Sequence, residues 1–262
     1  MNLGMDGKVA AVTGGSKGIG LAVVQALVAE GVRVAVGARE ESPALKALAS
    51  DGSVLTVPGD LSTGPGAERL VQRVLETFGA LDILVNNVGG VRPRPTGFLD
   101  VSDDDFRWAF ELDFLSAVRM TRAALPHLLA RAPSSIVTVA SVNATLPDPT
   151  VIDYGAAKAA LVNFSKALSK EVGPRGVRVN TVSPGPVATD LWLGADGVAE
   201  TLAASTGLDP TAVAAQAVSG SATGRFTRPE EVAHLVVVLA GPRAGNVTGT
   251  DVIIDGGLVT SM

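Results

Sequence analysis

Tyr154 is the only tyrosine in the chain, and it stands four residues before Lys158 in a segment of helical period. Four residues make about one helical turn, so phenol and ammonium project from one face. Such a pair suits proton transfer at an oxygen. A phenol ionises near pH 10 when unperturbed, and a neighbouring ammonium makes it a stronger acid and a more stable tyrosinate. A carbonyl being reduced needs that proton, and a secondary alcohol being oxidised must lose it. The preceding β-branched run ends at Ser141, thirteen positions before Tyr154, where a hydroxyl can polarise the same oxygen. Singly, Ser141 reads as a turn cap, Tyr154 as a packing residue and Lys158 as a solvated charge; jointly they meet one mechanistic need.

Near the N-terminus, the run Lys8–Thr13 leads into Thr13-Gly14-Gly15-Ser16-Lys17-Gly18-Ile19-Gly20 and then directly into a helical pattern. The backbone N–H groups of such a turn, backed by the helix dipole, can hold a pyrophosphate, and only small residues let the backbone approach closely enough. An ordinary tight turn is the alternative. After the next apolar run comes Gly37-Ala38-Arg39. A carboxylate there would bind an unmodified ribose, whereas an arginine pairs with a 2′-phosphate. NADP(H) is therefore expected over NAD(H). The opposing reading leaves Arg39 solvated, with Glu40 or Glu41 reaching the ribose.

The elements that must position these residues alternate along the chain. Strands are expected at Lys8–Thr13, Val32–Ala38, Val54–Pro58, Ile83–Asn86, Ser135–Ala140, Val177–Val182 and Asp251–Ile254, several of them almost wholly apolar, as in parallel sheets covered on both faces. Helices are expected at Gly18–Glu30, Pro65–Phe78, Asp103–Arg131, Tyr154–Val172 and Pro229–Ala240. This predicts one α/β domain spanning 1–262, a doubly wound parallel sheet of about seven strands with helices on both faces, its ligand beyond the carboxyl ends of the strands.

Composition narrows the function. The net charge of −5 carries no Lys/Arg block, which argues against nucleic acid and anionic membrane as partners and for a small molecule. No cysteine occurs, which removes disulfides, thiolate nucleophiles and sulfur-ligated metals; His127 and His234 stand apart in helical segments, so no metal is expected. Met1 to Lys8 lacks a basic stretch followed by an apolar one, and no run approaches the roughly 20 apolar residues of a membrane span. A cytoplasmic location is expected.

The spacing Gly-x3-Gly-x-Gly departs from the commonest dinucleotide fingerprint, and with it the chain resembles the short-chain dehydrogenase/reductase family, whose Thr-Gly-x3-Gly-Ile-Gly turn it carries in full. The match continues in the family's order through Asp60-Leu61, Asn86-Asn87-Val88-Gly89, Ser141, Tyr154, Lys158, Pro184-Gly185 and Asp255-Gly256-Gly257, almost the entire chain. The resemblance implies a Rossmann-type fold. It also implies cofactor contacts from Gly14, Ser16, Lys17, Gly18, Ile19, Gly20, Arg39, Asp60, Leu61, Asn87, Gly89, Pro184, Gly185, Val187 and Thr189. Lys17 resembles the second basic residue of NADP-preferring members, Asp60 meets adenine, and Thr189 touches the carboxamide. Ser141, Tyr154 and Lys158 take the catalytic roles, with Tyr154 and Lys158 also at the cofactor and Lys158 on the ribose hydroxyls. Val88 replaces a more frequent alanine and is expected to crowd packing. Asp113 stands where the family usually has an asparagine that helps a water-linked proton path to the lysine. Its charge would favour the ammonium and oppose tyrosinate formation, so it is expected to keep the structural role and alter the pH profile.

Residues 187–228 lose strand character and are expected to form a substrate lid with helical pieces near Asp196–Ser205 and Thr211–Ser219; Leu191, Trp192 and Leu193 either line the pocket or anchor the lid. Arg92 and Arg94 sit by the expected mouth, where they either attract an acidic group, as on an acyl-carrier- or CoA-linked substrate, or are ordinary surface residues. The whole is most similar to 3-oxoacyl-carrier-protein reductases, implying NADPH-dependent reduction of a ketone (EC 1.1.1.-). The alternatives are an NAD(P)-dependent alcohol or sugar dehydrogenase working oxidatively, and a nucleotide-binding protein without catalysis. The family commonly forms homo-oligomers, tetramers or dimers, through its long central helices and C-terminal strand region.

Overall fold

The computed structural model describes residues 3–260; Met1 and Asn2, at the start of the stretch read for a targeting segment, lie outside the described residues, as do Ser261 and Met262. Seven strands, β1 (Val9–Thr13), β2 (Arg33–Ala38), β3 (Val54–Pro58), β4 (Ile83–Asn86), β5 (Ser134–Val139), β6 (Val177–Pro184) and β7 (Asp251–Ile254), form one parallel sheet in the order β3-β2-β1-β4-β5-β6-β7. Among the described residues ten α-helices accompany them: α1 (Gly18–Ala29), α2 (Pro43–Leu48), α3 (Gly64–Phe78), α4 (Asp103–Phe110), α5 (Ser116–Ala130), α6 (Ile152–Val172), α7 (Asp190–Leu193), α8 (Val198–Thr206), α9 (Pro210–Ser219) and α10 (Pro229–Ala240). This is a Rossmann-type doubly wound sheet. The order reverses between β1 and β4, the switch point beyond which such sheets bind ligands.

Side chains alternate across the sheet, so each strand feeds two cores. Ala10 and Val12 of β1 join α1 and α10 through Val24, Leu27, Val232 and Val236. Val9 and Ala11 face the other way, with Leu70, Val74, Met120, Leu128 and Leu168 of α3, α5 and α6. Because both faces are covered, all five residues of β1 and all four of β4 are buried, which is why these strands read as continuous apolar runs.

One expected helix is broken. Asp103–Arg131 divides into α4 and α5 around a π-helical turn, Glu111–Leu115, inside which Asp113 is fully buried. The wider turn inserts one residue into the helical ladder, a change too small to disturb the apolar period, and π turns of this kind gather at functional sites. The Ser116 hydroxyl donates to the Leu112 carbonyl at 2.5 Å, occupying an acceptor of that turn. The short helix α2 was not anticipated; Pro43 and the Ser42 cap, whose hydroxyl accepts from Leu45 N–H at 3.2 Å, are its only local signals.

Candidate active site

The glycine turn lies at the switch point and is fixed from beneath by Asn87. Its side-chain amide donates to the Thr13 and Gly14 carbonyls, each at 3.1 Å, while its backbone N–H donates to the Thr13 hydroxyl at 2.9 Å. Asn86 points the other way, donating to Thr121 at 3.1 Å and so tying β4 to α5. Within the turn, a Cβ on Gly15 would stand 2.6 Å from Val36, and one on Gly20 would collide with the Gly14 carbonyl. Gly18 adopts φ +55° opposite Thr189. No side chain caps α1, and its first turn holds no acidic residue. Its N–H groups thus end in a cradle of bare backbone, which fits a dinucleotide pyrophosphate.

The remaining residues expected to meet a cofactor lie in this turn and at or just after the ends of β2, β3, β4 and β6. Ser16 and Ile19 are partly buried in the turn, Lys17 is exposed there, and Arg39 is exposed just after β2. Asp60 accepts from the Ser62 backbone N–H at 2.9 Å and hydroxyl at 2.8 Å; these bonds, with Arg39 nearby, hold its carboxyl below the usual range. Glu40 and Glu41 line a shallow groove with Ala38, Thr56 and Pro58. Leu61 packs against Gly37, and Val187 is buried in the core, so any contact by Val187 with a ligand falls to its backbone. Pro184 ends β6, and Gly185 donates to the Ile254 carbonyl at 2.9 Å. Val88 packs on the α3–α5 core, and its methyl comes within 3.3 Å of where a Cβ on Gly14 would stand.

At the ends of β4 and β5 the second group assembles. Helix α6 buries Ala157, Leu161, Ser165, Leu168 and Val172 at helical spacing, which fixes its rotation and turns Lys158 inward as well. The Lys158 ammonium lies 3.5 Å from Asp113 Oδ1, donates to the Val139 carbonyl at 3.4 Å, and stands 5.5 Å from the centre of the Tyr154 ring. Asp113 Oδ1 also accepts from the Gly90 N–H at 3.0 Å, while its Oδ2 is buried without a hydrogen-bond partner. Gly89 leaves room for this pair, since a Cβ there would come within 2.7 Å of Asp113 and 3.1 Å of Lys158. Burial pushes the Asp113 carboxyl up to about 6, with Lys158 and the Gly90 N–H pulling down and Asp153 pushing up. Burial also raises the Tyr154 phenol, opposed by Lys158 and by the Ser141 hydroxyl and reinforced by Asp113. Asp113, Ser141 and the Tyr154–Lys158 pair, separated in sequence, therefore form one coupled group.

Two features of this group were not anticipated. Asn143 accepts from the Ser141 hydroxyl at 3.2 Å and donates its backbone N–H back to that oxygen at 3.2 Å, orienting the serine; the Ser-x-Asn spacing is its only sequence signal. The buried Asp153 precedes Tyr154 and is paired with Arg94 at 2.6 Å. Arg94, weighed as a contact for an acidic substrate, is instead turned inward between Asp153 and Asp105, because two carboxylates hold it there. Arg92 remains exposed, stacked 3.9 Å above the Trp108 ring. Trp192 packs edge-on against Phe226 with ring centres 5.6 Å apart, while Leu191 and Leu193 are exposed. Among the described residues, no cluster of three or more His, Asp or Glu side chains comes together, and no helix is long and apolar enough to cross a membrane.

A family model described as enoyl-(acyl carrier protein) reductase matches residues 14–259. L-fucose dehydrogenase of Bos taurus is 34% identical over 251 residues, covering 96% of this chain and 89% of the relative. 3-Oxoacyl-(acyl-carrier-protein) reductase FabG of Vibrio harveyi is 32% identical over 261 residues, covering 98% and 99%. The solved structure of L-sorbose reductase from Gluconobacter frateurii, complexed with NADPH and L-sorbose, superposes with a TM-score of 0.91 at 33% identity, covering 100% of both chains.

Proposed function

The chain belongs to the short-chain dehydrogenase/reductase family and is an oxidoreductase, and from that premise we propose an NADPH-dependent reductase of a small-molecule ketone, a polyhydroxy ketone above all. The coupled Ser141, Tyr154, Lys158 and Asp113 group carries this reading, set at the strand ends beside the glycine cradle. The L-sorbose reductase, alike over its whole length, favours a hydroxylated substrate, and the fucose enzyme points to the same class. An acyl-carrier- or CoA-linked ketone has weaker support, since Arg94 is committed to carboxylates and Arg92 alone remains at the surface.

NADPH supplies the reducing equivalent when bound. Ser16, Gly18, Ile19 and Gly20 would hold its pyrophosphate through backbone N–H groups, Gly14, whose own N–H goes to the Gly37 carbonyl at 2.7 Å, would let the backbone come close, and Lys17 and Arg39 would pair with the 2′-phosphate. Asp60, Leu61, Asn87 and Gly89 would border the adenosine and the central span, while Pro184, Gly185, Val187 and Thr189 would border the nicotinamide end. Ser141 donates to the substrate carbonyl oxygen once its hydroxyl leaves Asn143. Tyr154 gives its proton to the developing alkoxide. The phenol is protonated at neutral pH, burial makes it a weaker acid, and Lys158 offsets this by stabilising the tyrosinate that remains. Lys158 would also hold the ribose hydroxyls, with Asp113 fixing the ammonium in place. Residues 187–228 act as the lid, and Trp192 on Phe226 brings its two ends together. The enzyme works in the cytoplasm as one domain per chain and assembles as a homotetramer or dimer; exposed Val238 on α10 and Ile253 on β7 support an apolar contact there.

A second reading, an NAD-dependent sugar dehydrogenase working oxidatively, draws on Glu40 and Glu41, which line the groove at the ends of β2 and β3 and could accept from a ribose. Paired fluorescence titrations with NADPH and NADH separate the two, followed by turnover on L-sorbose, L-fucose and a 3-oxoacyl thioester. Tighter NADPH binding with ketose reduction is the expected result. Tighter NADH binding with L-fucose oxidation establishes the second reading, and binding of neither nucleotide overturns both.

A further inference from the structure

Helix α6 starts without a side-chain cap, after Val151 at φ −141° and ψ 43°, yet its first turn carries Tyr154. Arg94 grips that turn at several points. Its backbone N–H donates to the Thr150 carbonyl at 2.6 Å, and its Nη2 and Nε meet Asp153 Oδ2 at 2.6 and 3.2 Å. Its Nη1 lies 2.9 Å from Asp105 Oδ1, while Asp105 Oδ2 is taken by the Ser102 cap of α4. One side chain thus joins the loop after β4, the start of α4 and the start of α6. Asp153 is 1% exposed, and its Oδ1 has no hydrogen-bond partner. Without Arg94 it would be an uncompensated buried carboxylate, one residue before Tyr154 and near enough to Asp113 to raise its carboxyl.

We propose that Arg94 is the positioning residue of the Tyr154 site, pinning the first turn of α6 and cancelling the buried charge of Asp153. Resting on the reading of Tyr154 as the proton-transferring group, this gives Arg94 an electrostatic role at a distance. The charges acting on the phenol are Lys158 from α6 and Asp113 from the π turn; Asp153 of α6 bears on Asp113, and Arg94 from the loop after β4 faces Asp153, with Asp105 of α4 behind it. An ion pair acts on a neighbour as a dipole, whereas a lone interior charge acts at longer range. Removing Arg94 therefore disfavours tyrosinate.

Tyr154 is the only tyrosine, so tyrosinate absorbance of the purified protein reports this one phenol without substrate or cofactor; the two tryptophans report folding at each pH. In Arg94→Met the midpoint is expected to rise by about half a unit to one unit. It should return to the wild-type value in the Arg94→Met, Asp153→Asn double variant and stay there in Arg94→Lys. A merely structural role would not produce that return. A folded Arg94→Met protein with an unmoved midpoint overturns the proposal, as does a shift that Asp153→Asn does not reverse. Should Arg94→Met fail to fold, Asp153→Asn alone decides: more tyrosinate at a fixed alkaline pH supports the proposal, and an equal amount overturns it. Turnover by Tyr154→Phe tests the catalytic reading separately. Retained turnover sinks that reading while the titration still stands, and lost turnover with a flat titration sinks the Arg94 role alone.

Discussion

The glycine turn and the Tyr154 group lie at adjacent strand ends of one sheet, yet they are built from opposite materials. The turn is backbone, held by Asn87 and Thr13, and its only ionisable side chain, Lys17, is exposed. Its tolerance is steric, as the collision of a Gly20 Cβ with the Gly14 carbonyl shows. The Tyr154 group is made of ionisable side chains in the interior, where burial lifts both a carboxyl and a phenol above their ordinary values. A site that only holds a ligand can be made of shape, whereas one that moves a proton must keep charges in balance. The first should respond to a methyl group, and the second to pH.

The sharpest way to break this contrast is Tyr154→Phe. Turnover should fall by about a thousandfold with NADPH affinity unchanged; a parallel loss of affinity in fluorescence titration would show the two regions to be one. Gly20→Ala should weaken NADPH about a hundredfold, equally at acid and alkaline pH, and a pH-dependent loss would show that shape alone does not govern the turn. Arg39→Glu should shift the NADPH-to-NADH affinity ratio towards NADH by about tenfold, the value of one charge-assisted contact. No shift would move the ribose contact to Glu40 or Glu41.

Asp113→Asn sharpens the contrast with the smallest change in rate, a few-fold, but the clearest pH signature. Folding raises the Asp113 carboxyl to about 6, so the folded state favours its protonated form. Ionisation therefore costs stability progressively as pH rises from about 4 to about 6, and the full cost, at most about 3 kcal/mol, stands above that range. Asparagine has no proton to lose. The melting advantage of Asp113→Asn should grow with pH through this window and level off above it, and a turnover limb near pH 6 should vanish. An advantage that is flat with pH in thermal denaturation would remove Asp113 from the charge balance.

Much of the architecture was legible because parallel strands buried on two faces are short, apolar and separated by helical periods. The expected ends of β3, β4, β7 and α10 coincide with the observed ones. Legibility failed where a feature depends on distant partners. The π turn does not disturb periodicity, and α2 is too short to show any. Arg94 read as a free surface cation because its carboxylates lie on α4 and on α6, the latter 59 residues away.

By itself, the sequence determined which chemistry was available. The turn of small residues before a helix, the Tyr154 and Lys158 spacing, and the absence of cysteine are local or compositional facts that persist in any folded arrangement. Tertiary structure alone decided how that chemistry is tuned. Burial of Asp113 against Lys158, the Asn143 hold on Ser141 and the capture of Arg94 all depend on which elements meet at the strand ends. Electrostatic energy in a protein interior is set by distance and desolvation, and neither quantity exists until the chain has folded.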